Sequence, residues 1–311
     1  MPEIASMIRL GTRGSPLALV QAHELRQRLV EARSAVPESV EVVVIRTTGD
    51  RIIDRALAEA GGKGLFTKEL DEALLDRRID VAVHSAKDLP TVLPAGISIL
   101  GYLPREDARD ALIAPRHHRL EELPEGALIG TASVRREAQL RRLRPDIKVR
   151  LLRGNVDTRL RKLAAGECDA TLLALAGLKR LQRESEVTEV LDLARFLPAV
   201  GQGAIALTTR REDGKMASQL APVLDHATER ALAAERAFLG ELDGSCRTPI
   251  AGHAVLEGRR LRFQGLALAQ DGTNATEVAR DGDVADSERL GAEAAAELLA
   301  RLPPGILLAR D

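Results

Sequence analysis

The chain has 311 residues, of which 45% are hydrophobic and 29% are charged, and its formal net charge is −1. This length exceeds what one compact core usually supports, so it predicts two or three domains. The near-zero charge excludes a strong overall attraction to nucleic acid, and a chain with no Trp and one Tyr has little to stack on bases, so we expect no nucleic-acid partner.

Cysteine content and apolar runs indicate the compartment. Two cysteines, Cys168 and Cys246, exclude a disulfide framework and a multi-cysteine metal site, so we expect no metal. No apolar run is long enough to span a bilayer, and the first residues lack the pattern of a signal peptide. We therefore expect a cytoplasmic protein with reduced thiols that does not enter a membrane.

The first part of the chain alternates between strand-like and helix-like segments. Residues 8–10 predict a short strand, and the turn at 11–14 leads into a helix. Ser15 is placed as the N-cap of that helix, with Pro16 at the first helical position. The β-branched residues 40–45 predict a second strand.

A glycine-rich loop precedes the next helix and strand. Gly-Gly-Lys-Gly occupies residues 61–64, a helix is predicted over about 67–77, and the apolar run at 79–83 predicts a strand that is buried on both faces. The loop lacks the spacing of a phosphate-binding Walker A motif. Two interpretations of Lys63 stay open: a solvated lysine in a flexible turn, or a cation on a mobile loop that meets an anion.

Polar side chains directly follow that buried strand. They are His84, Ser85, Lys87 and Asp88, and Pro90 prevents further regular structure. In open α/β sheets, ligands bind at the carboxyl ends of the strands. Asp88 is the one carboxylate of the group, so we predict that it handles a proton or stabilises a cation. We interpret His84 as a hydrogen-bonded structural residue, whereas Ser85 either binds a ligand or caps the turn.

A second alternating block and a different last part complete the chain. Strands at 127–130, 147–152 and 169–175 alternate with helices, which predicts largely parallel sheets. The hinge-like segment 197–203 leads into a strand at 204–208. The remaining predicted elements form a small α+β domain: a helix over about 227–242, two antiparallel strands around 250–256 and 261–269, and a helix over about 286–301.

Arginines recur at the turns between strands and helices. Only seven of the 45 Lys and Arg residues are lysines, so a single arginine is evidence only where its position is special. Such positions are those of Arg13, Arg135, Arg136, Arg153 and Arg159, with Arg180 further along. Arginine binds carboxylates and phosphates bidentately, and helix N-termini add positive charge. The set predicts a site for a ligand with several such groups; the alternative is a set of solvated arginines.

The two cysteines differ in their neighbours. Cys246 lies on a predicted loop beside Arg247, which favours the thiolate, but a small buried residue is an equally open interpretation. Cys168 has no cationic neighbour in the sequence, so we interpret it as structural.

Seven blocks of sequence, in a fixed order, cover nearly the whole chain. They are LGTRGSPLA (10–18), GGKGLFTKEL (61–70), VHSAKDLP (83–90), GTASVRR (130–136), RGNVDTR (153–159), PAVGQGA (198–204) and GSCRTPI (244–250). Together they closely resemble the porphobilinogen deaminase family, also called hydroxymethylbilane synthases. The chain departs from the family pattern at Glu59, Ala132 and Ser245, none of which is Asp88 or Cys246.

The resemblance implies an α/β fold with two periplasmic-binding-protein-like (type II) α/β domains and a third small α+β domain that carries the cofactor. Domain 1 would comprise residues 1–103 and 204–221, domain 2 residues 104–203 with the hinge at 197–203, and the α+β domain residues 222–311. The active site would lie in the cleft between the first two domains. The resemblance also implies a monomer.

The resemblance implies a transferase that joins four molecules of porphobilinogen head to tail, each with loss of ammonia, to give hydroxymethylbilane for the next enzyme of tetrapyrrole and haem biosynthesis. The chain would grow on a dipyrromethane cofactor attached through Cys246. Asp88 would be catalytic, and Phe66 would belong with Lys63 to a loop over the cleft. Cofactor and substrate contacts are implied for Arg13, Ser15, Lys63, Ser85, Lys87, Thr131, Ser133, Arg135, Arg136, Arg153, Gly154, Asn155, Arg159 and the hinge residue Gln202.

Two functions of other classes remain as alternatives. A non-catalytic binding module of the periplasmic type would explain the two α/β blocks and the arginines, but it would need neither Cys246 nor a third domain. An acyl transferase with Cys246 as nucleophile would need a histidine base, and none of the six histidines is placed for that role by the sequence.

Overall fold

The computed structural model describes residues 7–33, 36–48, 67–242, 248–303 and 306. Their elements, in chain order, are β1 (Ile8–Thr12), α1 (Pro16–Arg33), β2 (Val40–Val44), α2 (Lys68–Leu75), β3 (Val81–Ser85), β4 (Ile97–Tyr102), β5 (Asp110–Ile113), β6 (Leu128–Thr131), α3 (Val134–Leu143), β7 (Lys148–Leu151), α4 (Val156–Ala164), β8 (Ala170–Ala174), α5 (Leu175–Arg180), β9 (Glu189–Val190), β10 (Ile205–Arg210), α6 (Gly214–Leu220), α7 (His226–Glu241), β11 (Ile250–Glu257), β12 (Arg260–Leu268), β13 (Ala275–Asp283) and α8 (Ser287–Arg301). No helix in these ranges has both the length and the apolar character that a membrane span requires.

The chain divides into two compact units. Unit 1 comprises Met1–Ile52, Gly62–Glu106 and Ala204–Glu229, and unit 2 comprises Ile53–Gly61, Asp107–Gly203 and Arg230–Asp311. Unit 2 therefore contains both the second α/β block and the last, α+β part of the sequence. The three-domain boundaries given above stay a prediction.

Unit 1 is built on a five-stranded sheet with the order β2-β1-β3-β10-β4. β1 pairs in parallel with β2 and β3, whereas β10 is antiparallel to both of its neighbours. A core lies between this sheet and α1, where Ala22, Leu25 and Leu29 form an apolar stripe along one face of the helix and are fully buried. Burial on both faces explains why β3 reads as a continuous apolar run.

Unit 2 repeats this arrangement in a second five-stranded sheet with the order β7-β6-β8-β5-β9. β6 pairs in parallel with β7 and β8, and β5 is antiparallel to its two neighbours. The prediction of largely parallel sheets is therefore confirmed with one correction, because each sheet contains one antiparallel strand. The two sheets share one pattern of parallel and antiparallel pairs, which agrees with the prediction of two α/β domains of one type.

The last part of unit 2 is a three-stranded antiparallel sheet, β11-β12-β13, packed against α8. The rings of Phe238 of α7 and Phe263 of β12 make a tilted contact, with centroids 4.9 Å apart and planes at 56°. The small α+β domain is confirmed. Its third strand, β13, was not predicted, although burial alternates along its first half.

Two strand predictions need adjustment, and three strands besides β13 were not predicted. β3 extends through Ser85, so His84 and Ser85 belong to the strand rather than follow it. β10 begins at Ile205 and ends at Arg210, two residues beyond the predicted end. β4, β5 and β9 were not predicted at all, because β4 pairs with β10, and β5 with β8 and β9, far along the chain, which leaves no local signal.

Gly291 marks a close approach of α8 to α7. A Cβ at this position would overlap the backbone carbonyl of Ala234, which cannot move as a flexible side chain could. We expect Gly291→Ala to lower the free energy of unfolding by about 1–3 kcal/mol, measured by chemical denaturation. Gly240→Ala is the matched control, since nothing lies within 4 Å of its Cβ and alanine favours helix there. Equal stability of the two variants would contradict the close packing.

Candidate active site

In unit 1, the polar residues after β1 and within β3 come together at one edge of the sheet. Leu10 pairs with Val81 and Gly11 with Ala82, so the carboxyl ends of the two parallel strands lie side by side. Arg13 follows β1, and the short turn Ala86–Asp88 follows β3. The predicted convergence of these two segments is therefore present in the structure.

Asp88 lies half-buried at the end of that short turn. Ala86 donates its backbone N–H to Ala204 O at 3.0 Å, which anchors the turn to the residue before β10. Leu89 is extended (φ −74°, ψ 137°), as expected before Pro90. Asp88 lines a small pocket of about 70 Å³ whose other walls are Arg13, Ser15, Leu17, Ala18, Gln21, Thr67, Val83, His84 and Ser85. Among the described residues around it, Asp88 is the one carboxylate.

Ser15 and Ser85 enter the pocket from α1 and β3. The Ser15 hydroxyl accepts the backbone N–H of Ala18 at 3.3 Å, so Ser15 caps α1 as predicted. The Ser85 hydroxyl accepts a hydrogen bond from Gln21 Nε2 at 3.0 Å and donates one to Gln21 Oε1 at 3.2 Å. Gln21 was not predicted as a site residue; it is a polar residue on the helix face that otherwise carries the apolar stripe, and that is the one signal in the sequence that could have revealed it.

His84 lies at the wall of the same pocket but is buried. Its Nε2 lies 3.0 Å from the hydroxyl of Thr208 on β10. Burial, assisted by the positive charge of Arg13, lowers the pKa of His84 to about 4. The imidazole is therefore neutral near pH 7 and hydrogen-bonded within the sheet, as its structural interpretation predicts.

The pKa of His84 makes stability depend on pH. Because the folded-state value of about 4 lies below the ordinary 6.5, the unfolded chain binds this proton first as the pH falls. We expect the free energy of unfolding to decrease from about pH 6.5 towards pH 4, with a slope from this group of up to about 1.4 kcal/mol per pH unit. Denaturant titrations of wild type and His84→Asn test this expectation; equal slopes for the two proteins would contradict it.

In unit 2, two helix N-termini face the same sheet edge. β6 and β7 are parallel and in register, with Thr131 opposite Leu151, so the turns after them are neighbours. Ser133 caps α3 by accepting the N–H of Arg136 at 3.4 Å, and Asn155 caps α4 by accepting the N–H of Thr158 at 2.9 Å. Such paired N-termini attract anions.

Arg135 and Arg136 lie in the first turn of α3, and both are buried around one carboxylate. Arg136 donates to Asp110 Oδ1 from Nε at 3.0 Å and from Nη2 at 2.7 Å, while Arg135 Nη1 lies 2.8 Å from Asp110 Oδ2. Burial by itself would raise the pKa of Asp110, but the two guanidinium groups reverse this and lower it strongly. Gln202 Nε2 also donates to Asp110 Oδ1, at 3.0 Å.

Arg153 and Arg159 lie around the turn into α4. The Nη1 atom of Arg153 is buried and has no hydrogen-bond partner among the described residues. Arg159 Nε donates to the carbonyl of Gly154 at 2.9 Å. Gly154 itself has φ 120°, a conformation that favours glycine. The structure thus brings Thr131, Ser133 and the turn Arg153 to Asn155 to one edge of the sheet, as predicted.

Other predicted residues lie apart or outside the described ranges. Lys87 lies half-buried in the same turn as Asp88 but does not line the pocket in unit 1. Arg180 ends α5 and donates to Gly203 O at 3.1 Å. Cys168 is 5% exposed, and burial raises the pKa of its thiol, consistent with a structural role. Lys63, Phe66 and Cys246 lie outside the described residues.

Known proteins match the chain over most of its length. A family model described as porphobilinogen deaminase, dipyromethane cofactor binding domain, matches residues 8–218, and one described as porphobilinogen deaminase, C-terminal domain, matches residues 230–300. A porphobilinogen deaminase of Nitrobacter hamburgensis is 56% identical over 292 residues, which cover 94% of this chain and 92% of the relative. A porphobilinogen deaminase of Nitrobacter winogradskyi matches with the same identity and coverage.

The chain belongs to the porphobilinogen deaminase family. This membership confirms the resemblance, the predicted function of a porphobilinogen deaminase and its dipyrromethane cofactor, and it makes the chain a transferase. Solved structures to which the chain is similar include the VFT2 domain of Bordetella pertussis BvgS, with 17% identity, a TM-score of 0.43 and coverage of 74% of this chain and 91% of that one. A periplasmic substrate-binding protein of a Coxiella burnetii ABC transporter has 14% identity, a TM-score of 0.44 and coverage of 72% and 94%.

The described residues fit the chemistry of this cofactor. Porphobilinogen units carry acetate and propionate groups, so a dipyrromethane presents several carboxylates. Unit 2 offers them two helix N-termini together with the buried Nη1 of Arg153 and Nε of Arg135, neither of which has a hydrogen-bond partner among the described residues. Unpaired buried donors are costly unless a ligand pairs with them, so this donor set suits a group with several carboxylates.

Proposed function

We propose that the chain is a hydroxymethylbilane synthase whose site residues are those given below. It condenses four molecules of porphobilinogen head to tail, with loss of one ammonia from each, on the covalently bound dipyrromethane, and it releases linear hydroxymethylbilane. The observation that carries the proposal is the pocket of unit 1, in which Asp88 is the carboxylate among Arg13, Ser15 and Ser85. A family member with an acid in that position has the group that the deamination requires.

Asp88 acts on the reacting centre of the substrate. Loss of ammonia from porphobilinogen leaves a cationic azafulvene. Asp88 passes a proton to the leaving amine, and the carboxylate that remains stabilises the cation. Its turn is fixed by the Ala86–Ala204 hydrogen bond, so the carboxylate is held in position before the cation forms. The neutral His84 adds no second positive charge at this wall of the pocket.

The remaining residues bind and orient carboxylates. In unit 1 the substrate contacts are Arg13, Ser15, Ser85 and Lys87. In unit 2 the contacts with cofactor or substrate are Thr131, Ser133, Arg135, Arg153, Gly154, Asn155 and Arg159, whereas Arg136 and Gln202 serve the site by holding the buried Asp110. Arginine is suited to binding carboxylates because its planar guanidinium group pairs with a carboxylate bidentately and stays charged at every working pH. When bound, the dipyrromethane supplies the pyrrole carbon that accepts each new unit.

Residues outside the described ranges complete the proposal. Cys246 holds the cofactor through a thioether, and its neighbour Arg247 favours the thiolate that forms this bond. Lys63 and Phe66 belong to a loop that covers the site. We also propose that the protein is a cytoplasmic monomer, with the three domains bounded as the sequence predicts, and that it hands its product to the next enzyme of tetrapyrrole biosynthesis.

The stoichiometry of the reaction tests the proposal directly. Purified protein is incubated with porphobilinogen, and consumed substrate, released ammonia and linear tetrapyrrole are quantified together. We expect four porphobilinogen molecules and four ammonia molecules for each tetrapyrrole. Binding of porphobilinogen without ammonia release would instead support a binding module and would reject the proposal.

A further inference from the structure

A buried cluster in unit 2 joins the helix that carries Arg135 and Arg136 to the connector 197–203. At its centre is Asp110, the first residue of β5, which is fully buried and for which no role follows from the reaction. Arg135, Arg136 and Gln202 all lie against its carboxylate within 3.0 Å. Two cations around one anion leave this buried cluster with an excess positive charge.

The two adjacent arginines use their donors differently. All three side-chain nitrogens of Arg136 donate within the protein: Nε and Nη2 to Asp110, and Nη1 to the carbonyl of Leu172 on β8 at 2.8 Å. Arg135 Nη1 donates to the carbonyl of Leu197 at 2.8 Å, but Arg135 Nε is buried without a hydrogen-bond partner. Among the described residues, Arg135 therefore keeps one side-chain nitrogen without a partner, whereas every side-chain nitrogen of Arg136 has one.

The connector is held by the same cluster. Leu197 exchanges hydrogen bonds with the side chain of Gln139 on α3, at 3.0 Å through its carbonyl and 2.8 Å through its N–H. Gln202 Nε2 donates to Ala108 O at 2.8 Å as well as to Asp110. The Arg135 guanidinium also lies over the ring of Phe196, 5.7 Å from its centroid. The Arg135 guanidinium is therefore held by Asp110, by Leu197 of the connector and by Phe196, the residue before it.

We propose that Asp110 is a positioning residue for the reaction. Its carboxylate forms an ion pair with Arg135 and is itself held by Arg136 and Gln202. The Arg135 guanidinium is therefore already oriented to bind a ligand carboxylate. The inference rests on the proposed function, which makes Arg135 a contact of cofactor or substrate. Presetting a guanidinium matters because a charge-assisted hydrogen bond loses strength when its donor must first be ordered. Arg136 then acts through Asp110 rather than on the ligand.

The test separates positioning from mere support of the fold. Asp110→Asn keeps the shape of the side chain but removes the charge that orients Arg135. We expect the KM for porphobilinogen, measured per chain that carries the cofactor by intact mass, to rise roughly ten- to hundredfold. kcat per loaded chain should change less than about threefold. A purely structural role would lower the folded fraction, and hence kcat per total protein, with KM unchanged, and that result would overturn the inference.

Two further variants keep the test decisive. Asp146→Asn is the matched control, because it breaks another guanidinium–carboxylate pair of unit 2, that with Arg144, and it should keep KM within about twofold of wild type.

Where Asp110→Asn yields no folded or loaded protein, Gln202→Ala removes one hydrogen bond that holds Asp110 and leaves every charge in place. A several-fold rise in KM at an unchanged thermal midpoint supports the inference, and an unchanged KM overturns it. Absence of turnover in wild type would reject the proposed function instead.

Discussion

Asp88→Asn is expected to lower kcat by roughly 10²- to 10⁴-fold, because it removes both the acid that serves the leaving amine and the negative charge that stabilises the cation. The amide has nearly the same shape, so the turn Ala86–Asp88 and its hydrogen bond to Ala204 should persist. The cofactor should also remain attached, since Cys246 is untouched. Initial-rate kinetics with porphobilinogen, together with the intact mass of the variant, measure both expectations.

The matched control for Asp88→Asn is Asp76→Asn. Asp76 follows α2, its side chain is 66% exposed, and its ion pair with Arg78 is long, at 3.6 Å. Neutralising a carboxylate there should leave kcat within about twofold of wild type. An Asp88→Asn variant with the activity of this control would remove Asp88 from the chemistry, and the reaction would then need another acid.

Cys246→Ser is expected to abolish turnover, because the serine hydroxyl is a far weaker nucleophile than a thiolate and leaves the cofactor without its attachment. The intact denatured mass of the purified variant should lack the excess of two linked pyrrole units that wild type carries. Loss of activity should follow in proportion to loss of the adduct, so the mass and the rate test the same bond by independent means.

Cys168→Ala provides the control for this variant. Cys168 is buried among Leu152, Leu160 and Leu163 in the core of unit 2, and burial raises the pKa of its thiol, which disfavours the reactive thiolate. The alanine variant should keep the mass excess and the activity while losing some stability. A mass excess that disappears with Cys168→Ala and survives Cys246→Ser would contradict the proposed attachment.

The elements around the site follow closely from local sequence. Ser15 and Asn155 act as helix caps, and the residues before and after the parallel strands converge at sheet edges because period, caps and turn residues are local signals. The polar residues at the carboxyl end of β3 could be predicted for the same reason. The longer helices and their approximate ends could be predicted from the sequence, whereas the short helices α5 and α6 were not.

Features that depend on distant pairing could not be predicted. β5 pairs with β8 and β9, and β4 pairs with β10, so no pattern within a short window reveals β4, β5 or β9. The cluster around Asp110 was missed for the same reason, since its partners are 26 and 92 residues away in sequence. Sequence positions predicted that arginines lie at the turns, but only the fold shows that the side chain of Arg136 is bound within the protein.

The central claim is that porphobilinogen units are added one at a time to a group bound covalently to this chain. The most direct test is the intact denatured mass of wild-type protein before and after a limiting amount of porphobilinogen. We predict a starting mass with two linked pyrrole units, followed by a ladder of heavier species, each separated by one porphobilinogen less one ammonia. A mass equal to that of the bare chain, unchanged after porphobilinogen although the substrate is consumed, would contradict the account.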